Sequence, residues 1–259
     1  MQISRFTSAF GFHPLQFFRA IGGSFRYLKD YLKFKKSLAQ NNSIFKLGSL
    51  YPCFHDWHDA GGQASGHYFH QDLFVASRIF ENNPQRHIDV GSRVDGFVAH
   101  VASFRKISII DIREMQTKTQ NIEYFRADMM NTLPDYLIES TDSLSCLHAI
   151  EHFGLGRYGD PIYWDGHLKG FSNLEKMLKS KGRLYFSTPI GDQRIEFNAH
   201  RVFSIEYLLN MFYGQFDLYK FSFVDDKGDL HEDVLLDGEA IKNNCGCFYG
   251  CGIFELIKK

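Results

Sequence analysis

The sequence predicts a doubly wound α/β domain, with a mostly parallel seven-stranded sheet, helices on both faces and an antiparallel edge strand, preceded by an N-terminal helical and lid extension. Three observations carry that expectation. Short apolar runs alternate with segments of helical spacing through residues 69–212, the alternation that right-handed crossovers in a parallel sheet produce. Several of those runs end on an acidic residue. The 259 residues, 44% of them hydrophobic, also suffice for one sizeable core.

Residues 1–40 read as helical and 41–66 as irregular backbone holding Pro52, Gly61, Gly62 and Gly66. Together, 1–66 make the extension and 67–259 the main domain. Phe69, Leu73, Val75, Ala76, Ile79 and Phe80 recur at helical spacing and stop before Asn82, Asn83 and Pro84. A strand over 87–90 leads into a turn from Gly91 to Gly96 and a helix over 97–104. Apolar strands follow at 107–112, 122–127 and 143–150, then a loop over 154–166, a helix over 168–178 and a fifth strand at 183–187. A helix over 204–212 and two late strands, 218–224 and 248–257, close the sheet as a hairpin-like antiparallel edge.

The net charge of −1 argues against nucleic acid as a partner, since such a domain is strongly basic. Charge is uneven, however. Residues 1–36 carry Arg5, Arg19, Arg26, Lys29, Lys33, Lys35 and Lys36 against Asp30 alone, among aromatics that include Phe6, Phe17, Phe18, Phe25 and Tyr27. A basic, aromatic stretch of this kind fits peripheral contact with an anionic membrane face; it equally fits a helix docked on the domain with a solvated basic face. No apolar run reaches the roughly 18 residues that would span a bilayer, and no signal-peptide pattern opens the chain. The expectation is a cytoplasmic protein, with the docked helix as the preferred reading of residues 1–36 and peripheral contact at the inner face of the membrane as its alternative. Cys53 and Cys146 are isolated, whereas Cys245, Cys247 and Cys251 lie in a Gly-rich stretch at an even spacing that would put them on one face of a strand. Three thiols without a fourth ligand read as buried packing rather than zinc.

A strand–turn–helix with glycines at the turn presents backbone N–H groups to a ligand. Gly91 and Gly96 have the separation of a phosphate loop, but Phe97 and Val98 occupy its Lys and hydroxyl positions. Arg93 stands where a dinucleotide fingerprint needs its second glycine. S-adenosylmethionine has no phosphate and instead needs carboxylates at strand ends. One after strand two can accept both ribose hydroxyls, one after strand three the adenine amine, and one in strand one can orient the turn facing the ammonium. Asp111, Asp128 and Asp89 fall at those places.

On these residues the chain resembles the class I S-adenosylmethionine-dependent methyltransferases over residues 86–190. Asp89-Val90-Gly91-Ser92 looks like their first motif, Ile110-Asp111 like the ribose acid, Ala127-Asp128-Met129 like the adenine contact, and His148-Ala149-Ile150-Glu151-His152 like their fourth-strand ending. The resemblance implies a Rossmann-like methyltransferase fold and a cofactor site of Asp89, Gly91, Ser92, Arg93, Asp111, Ile112, Asp128, Met129 and His148. The strings at 66–72 and 151–160 resemble a narrower family of uncharacterised methyltransferase-like proteins, recorded as a domain of unknown function. One departure stands out: Arg93 and Asp95 replace the second and third glycines of the first motif, and Gly96 comes one place late. Those side chains can crowd the methionine tail, or pair with its carboxylate and ammonium.

Methyl transfer is an in-line displacement, so the protein has to align an acceptor and, for a hydroxyl, remove its proton. His152 and Glu151, after strand four, are best placed for that, with His167 and His200 in later loops. Segment 54–72 holds His55, Asp56, His58, Asp59, His67, His70 and Asp72. Its His-x-x-His pairs suggest a metal, yet a lid bearing Tyr68, His70 and Gln71 is the preferred reading, with no metal. Tyr158, Tyr163, Trp164 and His167 suit sugar faces and hydroxyls. The expected function is therefore O-methylation of a small-molecule or glycan acceptor, in surface-glycan assembly, with His152, Glu151, His70 and Tyr68 as catalytic candidates. The altered first motif motivates the alternative, a non-catalytic binding or scaffold protein on the same fold.

Overall fold

A computed structural model describes residues 10–259 apart from 12, 42–43, 59–60, 63 and 116–117; Arg5, Phe6 and Asp59 lie outside the described residues. The chain divides into two units, Met1–Gln63 and Ala64–Lys259. In the first, Pro14 opens helix α1 (Pro14–Gln40), where its missing N–H costs nothing. One side of α1 packs on the segment that follows it. A Cβ at Gly23 would collide with the Phe54 carbonyl, Tyr27 meets the Phe54 ring edge-on at 5.7 Å, and Arg26 lies 4.4 Å over Trp57. Among the described residues no helix is long and apolar enough to cross a membrane.

The second unit is built on strands β1 (His87–Val90), β2 (Ile107–Asp111), β3 (Ile122–Arg126), β4 (Thr141–Leu147) and β5 (Leu178–Ile190). These five are parallel in the order β3-β2-β1-β4-β5. A separate hairpin, β6 (Arg194–Glu196) with β7 (His200–Val202), precedes β8 (Phe216–Val224), β9 (Leu230–His231) and β10 (Gly250–Lys258). The sheet continues β5-β10-β8-β9, which corrects the sequence reading in strand number. Among the described residues this sheet has eight strands rather than seven, the eighth being the two-residue β9. The two late strands form the expected antiparallel edge: β10 pairs with β8, and β10 also joins that edge to β5. Burial explains the placement: Gly250–Leu256 is buried on both faces, as befits an interior strand, whereas β8 exposes Asp217–Tyr219.

Helices cover both faces. On one, Phe171 and Leu174 of α4 (Gly166–Met177) and Leu208 and Phe212 of α5 (Ile205–Phe212) pack on Leu184, Phe186 and Phe254. On the other, Phe74, Val75 and Ile79 of α2 (His67–Asn82), with Phe97 and Val101, pack on Ile107, Ile109, Tyr185 and Ile253. Adjacent strand residues thus serve opposite faces, as the pleat requires. The helix expected over 97–104 is a π-helical turn (Val94–Val98) followed by the short α3 (Ala99–Ala102). The strand expected to reach 150 ends at Leu147, because His148 takes a left-handed backbone at φ +47°. Since β10 begins only at Gly250, Cys245 and Cys247 sit in the preceding turn and do not share a strand face with buried Cys251.

Candidate active site

The parallel strands β1, β2 and β4 deliver their C-terminal ends to one cleft of about 540 Å³, where ligands of open α/β sheets bind. Its first half is made of turns. Gly91 takes φ +76°, a conformation open to glycine, and a Cβ there would stand 2.9 Å from that of Ala149. Asp89 is wholly buried beneath the turn and accepts from the Ser92 N–H at 3.0 Å, the Ser92 hydroxyl at 2.6 Å and the Ser145 hydroxyl at 2.5 Å. Burial pushes its pKa up to about 6 despite those donors. Asp89 therefore shapes the turn and does not itself line the cleft.

Asp111, Ile112, Asp128 and Met129 do line it. Asp128 accepts from the Met130 N–H at 2.9 Å. The Asp111 carboxylate is held by Arg113, through the backbone N–H at 2.8 Å, Nε at 3.0 Å and Nη2 at 2.5 Å. Arg113 also lies 4.6 Å over the Tyr158 ring. An arginine two residues past a strand-end acid is visible in the sequence, and its pairing with Asp111 is the contact that sequence reasoning missed.

The departures in the first motif resolve into a pair. Arg93 and Asp95 are exposed on the rim and bond each other through both carboxylate oxygens, at 3.2 and 2.9 Å, with Arg93 5.4 Å over the Tyr68 ring. Glycine is needed at 96 for a different reason: a Cβ there would collide with the Asp72 carboxylate of α2. Asp72 accepts from the Phe97 backbone, and burial raises its pKa.

The second half of the cleft is made of side chains. Leu147, His148, Ala149, His152, Arg157 and Tyr158 line it, facing Tyr68. His152 Nδ1 lies 2.6 Å from the Ala199 carbonyl, which can only accept, so Nδ1 carries the proton and Nε2 is the basic nitrogen. Burial lowers the His152 pKa against the pull of Glu151, whose Oε1 stands 3.7 Å from Nε2. Arg157 donates to the same Ala199 carbonyl at 3.0 Å, and the Tyr158 ring meets His152 edge-on at 5.5 Å.

Not every predicted residue reaches the cleft. Glu151 is buried behind it, 2.8 Å from His148 Nδ1. Burial opposes charge on either partner, but Cys251 and Glu151 hold His148 above the usual imidazole range, and His148 holds Glu151 below the usual carboxylate range. His70 is half-buried outside the lining: two residues along a helix is about 200° of rotation, so Tyr68 and His70 point oppositely. Gln71, one turn from Tyr68, is buried and accepts from the Ser187 hydroxyl. His167 is 2.6 Å from the Tyr207 hydroxyl and pushed by burial to a pKa of about 4; it does not line the cleft, nor do His200, Tyr163 and Trp164. Behind His148, His67 stacks at 5.3 Å and meets Tyr249 at 5.4 Å. Among the described residues no group of three or more His, Cys, Asp or Glu is arranged to hold a metal.

Comparison with known proteins agrees with this architecture. Residues 96–243 match the family described as Caenorhabditis protein of unknown function, DUF268. No curated protein matches the sequence. Among solved structures, the chain is similar to the [4+2]-cyclase SpnF at 13% identity and a TM-score of 0.52, over 72% of this chain and 80% of that one. It is similar to a 1,6-didemethyltoxoflavin-N1-methyltransferase of Burkholderia thailandensis, solved with 1,6-didemethyltoxoflavin and S-adenosylhomocysteine, at 14% identity and a TM-score of 0.50, over 73% and 78%. The N-methyltransferase NodS of Bradyrhizobium japonicum WM9 matches at 10% identity and a TM-score of 0.49, over 74% and 88%. The likeness at these identities is one of fold, and the fold is that of the class I methyltransferases.

Proposed function

The chain belongs to the DUF268 family, and on the class I methyltransferase fold it adopts we propose that it binds S-adenosylmethionine and O-methylates a small or sugar-like acceptor. The residues fit the cofactor. A turn without a Cβ at Gly91, a carboxylate at the wall in Asp111 and a second in Asp128 are the groups that an amino-acid tail, a ribose diol and an adenine amine require. Asp111 would hold the ribose in exchange for its Arg113 contacts, Asp128 and Met129 the adenine, and Gly91, Ser92 and Arg93 the methionine end. Bound there, the cofactor supplies an electrophilic methyl group on a sulfonium.

The observation that carries the catalytic part is His152. It shares the cleft with Gly91 and Asp111, its Nδ1 proton is fixed on Ala199, and its lowered pKa keeps it neutral near pH 7. Nε2 is thereby set to take a hydroxyl proton as the methyl transfers. His148 lines the same wall and is paired with Glu151 buried behind it, and Tyr68 and Tyr158 offer faces on which a sugar ring can stack.

A specific observation favours a second reading, a binding or scaffold protein without catalysis: Arg113 already occupies the carboxylate of Asp111. The neighbouring cyclase likewise shows that this fold does not dictate methyl transfer. Calorimetry with S-adenosylmethionine and S-adenosylhomocysteine separates the two. Saturable binding supports the enzyme; no heat at about 1 mM ligand, roughly −4 kcal/mol of binding energy, leaves the scaffold.

A further inference from the structure

We propose that α1 is a membrane-interface helix that lies in the plane of an anionic lipid surface, independently of what the cleft does. Phe18, Ile21, Phe25, Leu28 and Leu32 are between 45% and 73% exposed. At 100° per residue they fall within about 80° of the helix circumference and run about 21 Å along it, a continuous apolar stripe. The other side of the helix is already taken: Gly23 and Tyr27, roughly opposite the stripe, are the residues that meet Phe54.

The flank beside the stripe says what covers it. Arg19, Lys29 and Lys33 follow along one border, where Arg26 is turned onto Trp57, Lys35 and Lys36 close its C-terminal end, and Asp30 is the one acid in the helix, on the far side of the cations. A second copy of α1 seated on the stripe would bring like charges together, whereas helix pairs carry flanking charges of both signs. Anionic headgroups complement a flank of one sign, and long basic side chains reach them while the stripe enters the acyl boundary. The helix is too polar to cross the bilayer, so it lies along it.

The test is co-sedimentation of the full chain with phosphatidylcholine vesicles containing about 30% phosphatidylserine, beside phosphatidylcholine alone, at low and high salt. Wild type should bind the anionic vesicles and be released by salt. F25E/L28E should weaken binding about tenfold by charging the stripe, and K29E/K33E should do the same with the stripe intact. Wild type that ignores anionic vesicles overturns the proposal, as does undiminished binding by both variants. A wild-type dimer in analytical ultracentrifugation that F25E/L28E dissociates would overturn it in favour of a protein partner.

Discussion

The two halves of the cleft are built by different means. The half beside β1, β2 and β3 is made of local turns: Asp89 holds Ser92, Asp111 holds the N–H of Arg113, and Asp128 holds that of Met130. Those turn contacts span three residues or fewer, and one bond from farther off, the Ser145 hydroxyl on Asp89, ties the turn to β4. The half beyond β4 is made of side chains drawn from distant segments. His152 is fixed by Ala199, 47 residues on, and His148 is stacked on His67 of α2, which in turn meets Tyr249 at the approach to β10. The first half is a backbone cradle that many sequences can form. The second sets the electrostatics around His152, and only tertiary packing assembles it.

That contrast predicts that the halves separate under mutation. The largest effect is expected from His152→Ala, which should lower turnover by roughly 10²–10⁴, measured as S-adenosylhomocysteine release, while leaving cofactor affinity within about twofold. If affinity falls together with turnover, His152 shapes the first half as well and the division fails. Next comes Asp111→Ala, expected to weaken S-adenosylhomocysteine binding by about 1–3 kcal/mol because a ribose diol loses a charged acceptor. Arg113→Ala should move the other way, by up to about 1 kcal/mol, since the carboxylate no longer has to exchange a half-exposed guanidinium. Calorimetry reads both, and an unchanged affinity in Asp111→Ala would remove the ribose assignment.

The smallest effect concerns pH and sharpens the same contrast in stability. Burial pushes His67 of the second half down to a pKa of about 4, His87 beneath the first half to about 3 and His167 to about 4, against 6.5 for a free imidazole. Between those values and 6.5 the unfolded chain binds more protons than the native one, so stability falls as the pH drops through that window and is recovered as it rises. His67→Gln and His87→Gln should each remove about one proton from the slope of unfolding free energy against pH, measured by denaturant unfolding between pH 6.5 and 4.5. An unaltered slope in either variant would mean that its imidazole already titrates in the native state.

Much of this was legible because it is local. β1 is an apolar run bounded by a proline-containing stop and a glycine turn, and strand-end acids are visible wherever an apolar run breaks off. The acids at 89, 111 and 128 and the turn between Gly91 and Gly96 follow from such patterns. Glu151 shows the limit: its neighbour His152 lines the cleft, but β4 ends in a tight 3₁₀ turn that swings the carboxylate behind His148. His70 fails by helical rotation, which no motif records. The pairing of Arg93 with Asp95, by contrast, depends on which way a short turn faces and was open in either sense.

By itself, then, the sequence determined the order of the seven longer strands, the acids at the strand ends and the apolar, basic character of α1, because alternation, spacing and turn residues act over a few positions. The tertiary structure alone decided where β10 enters the sheet, which imidazole nitrogen of His152 keeps its proton, and which buried groups hold His148. Those depend on a strand buried on both faces, on the Ala199 carbonyl and on rings from three separate elements, and contacts between such distant segments are selected by packing and desolvation rather than by any local pattern.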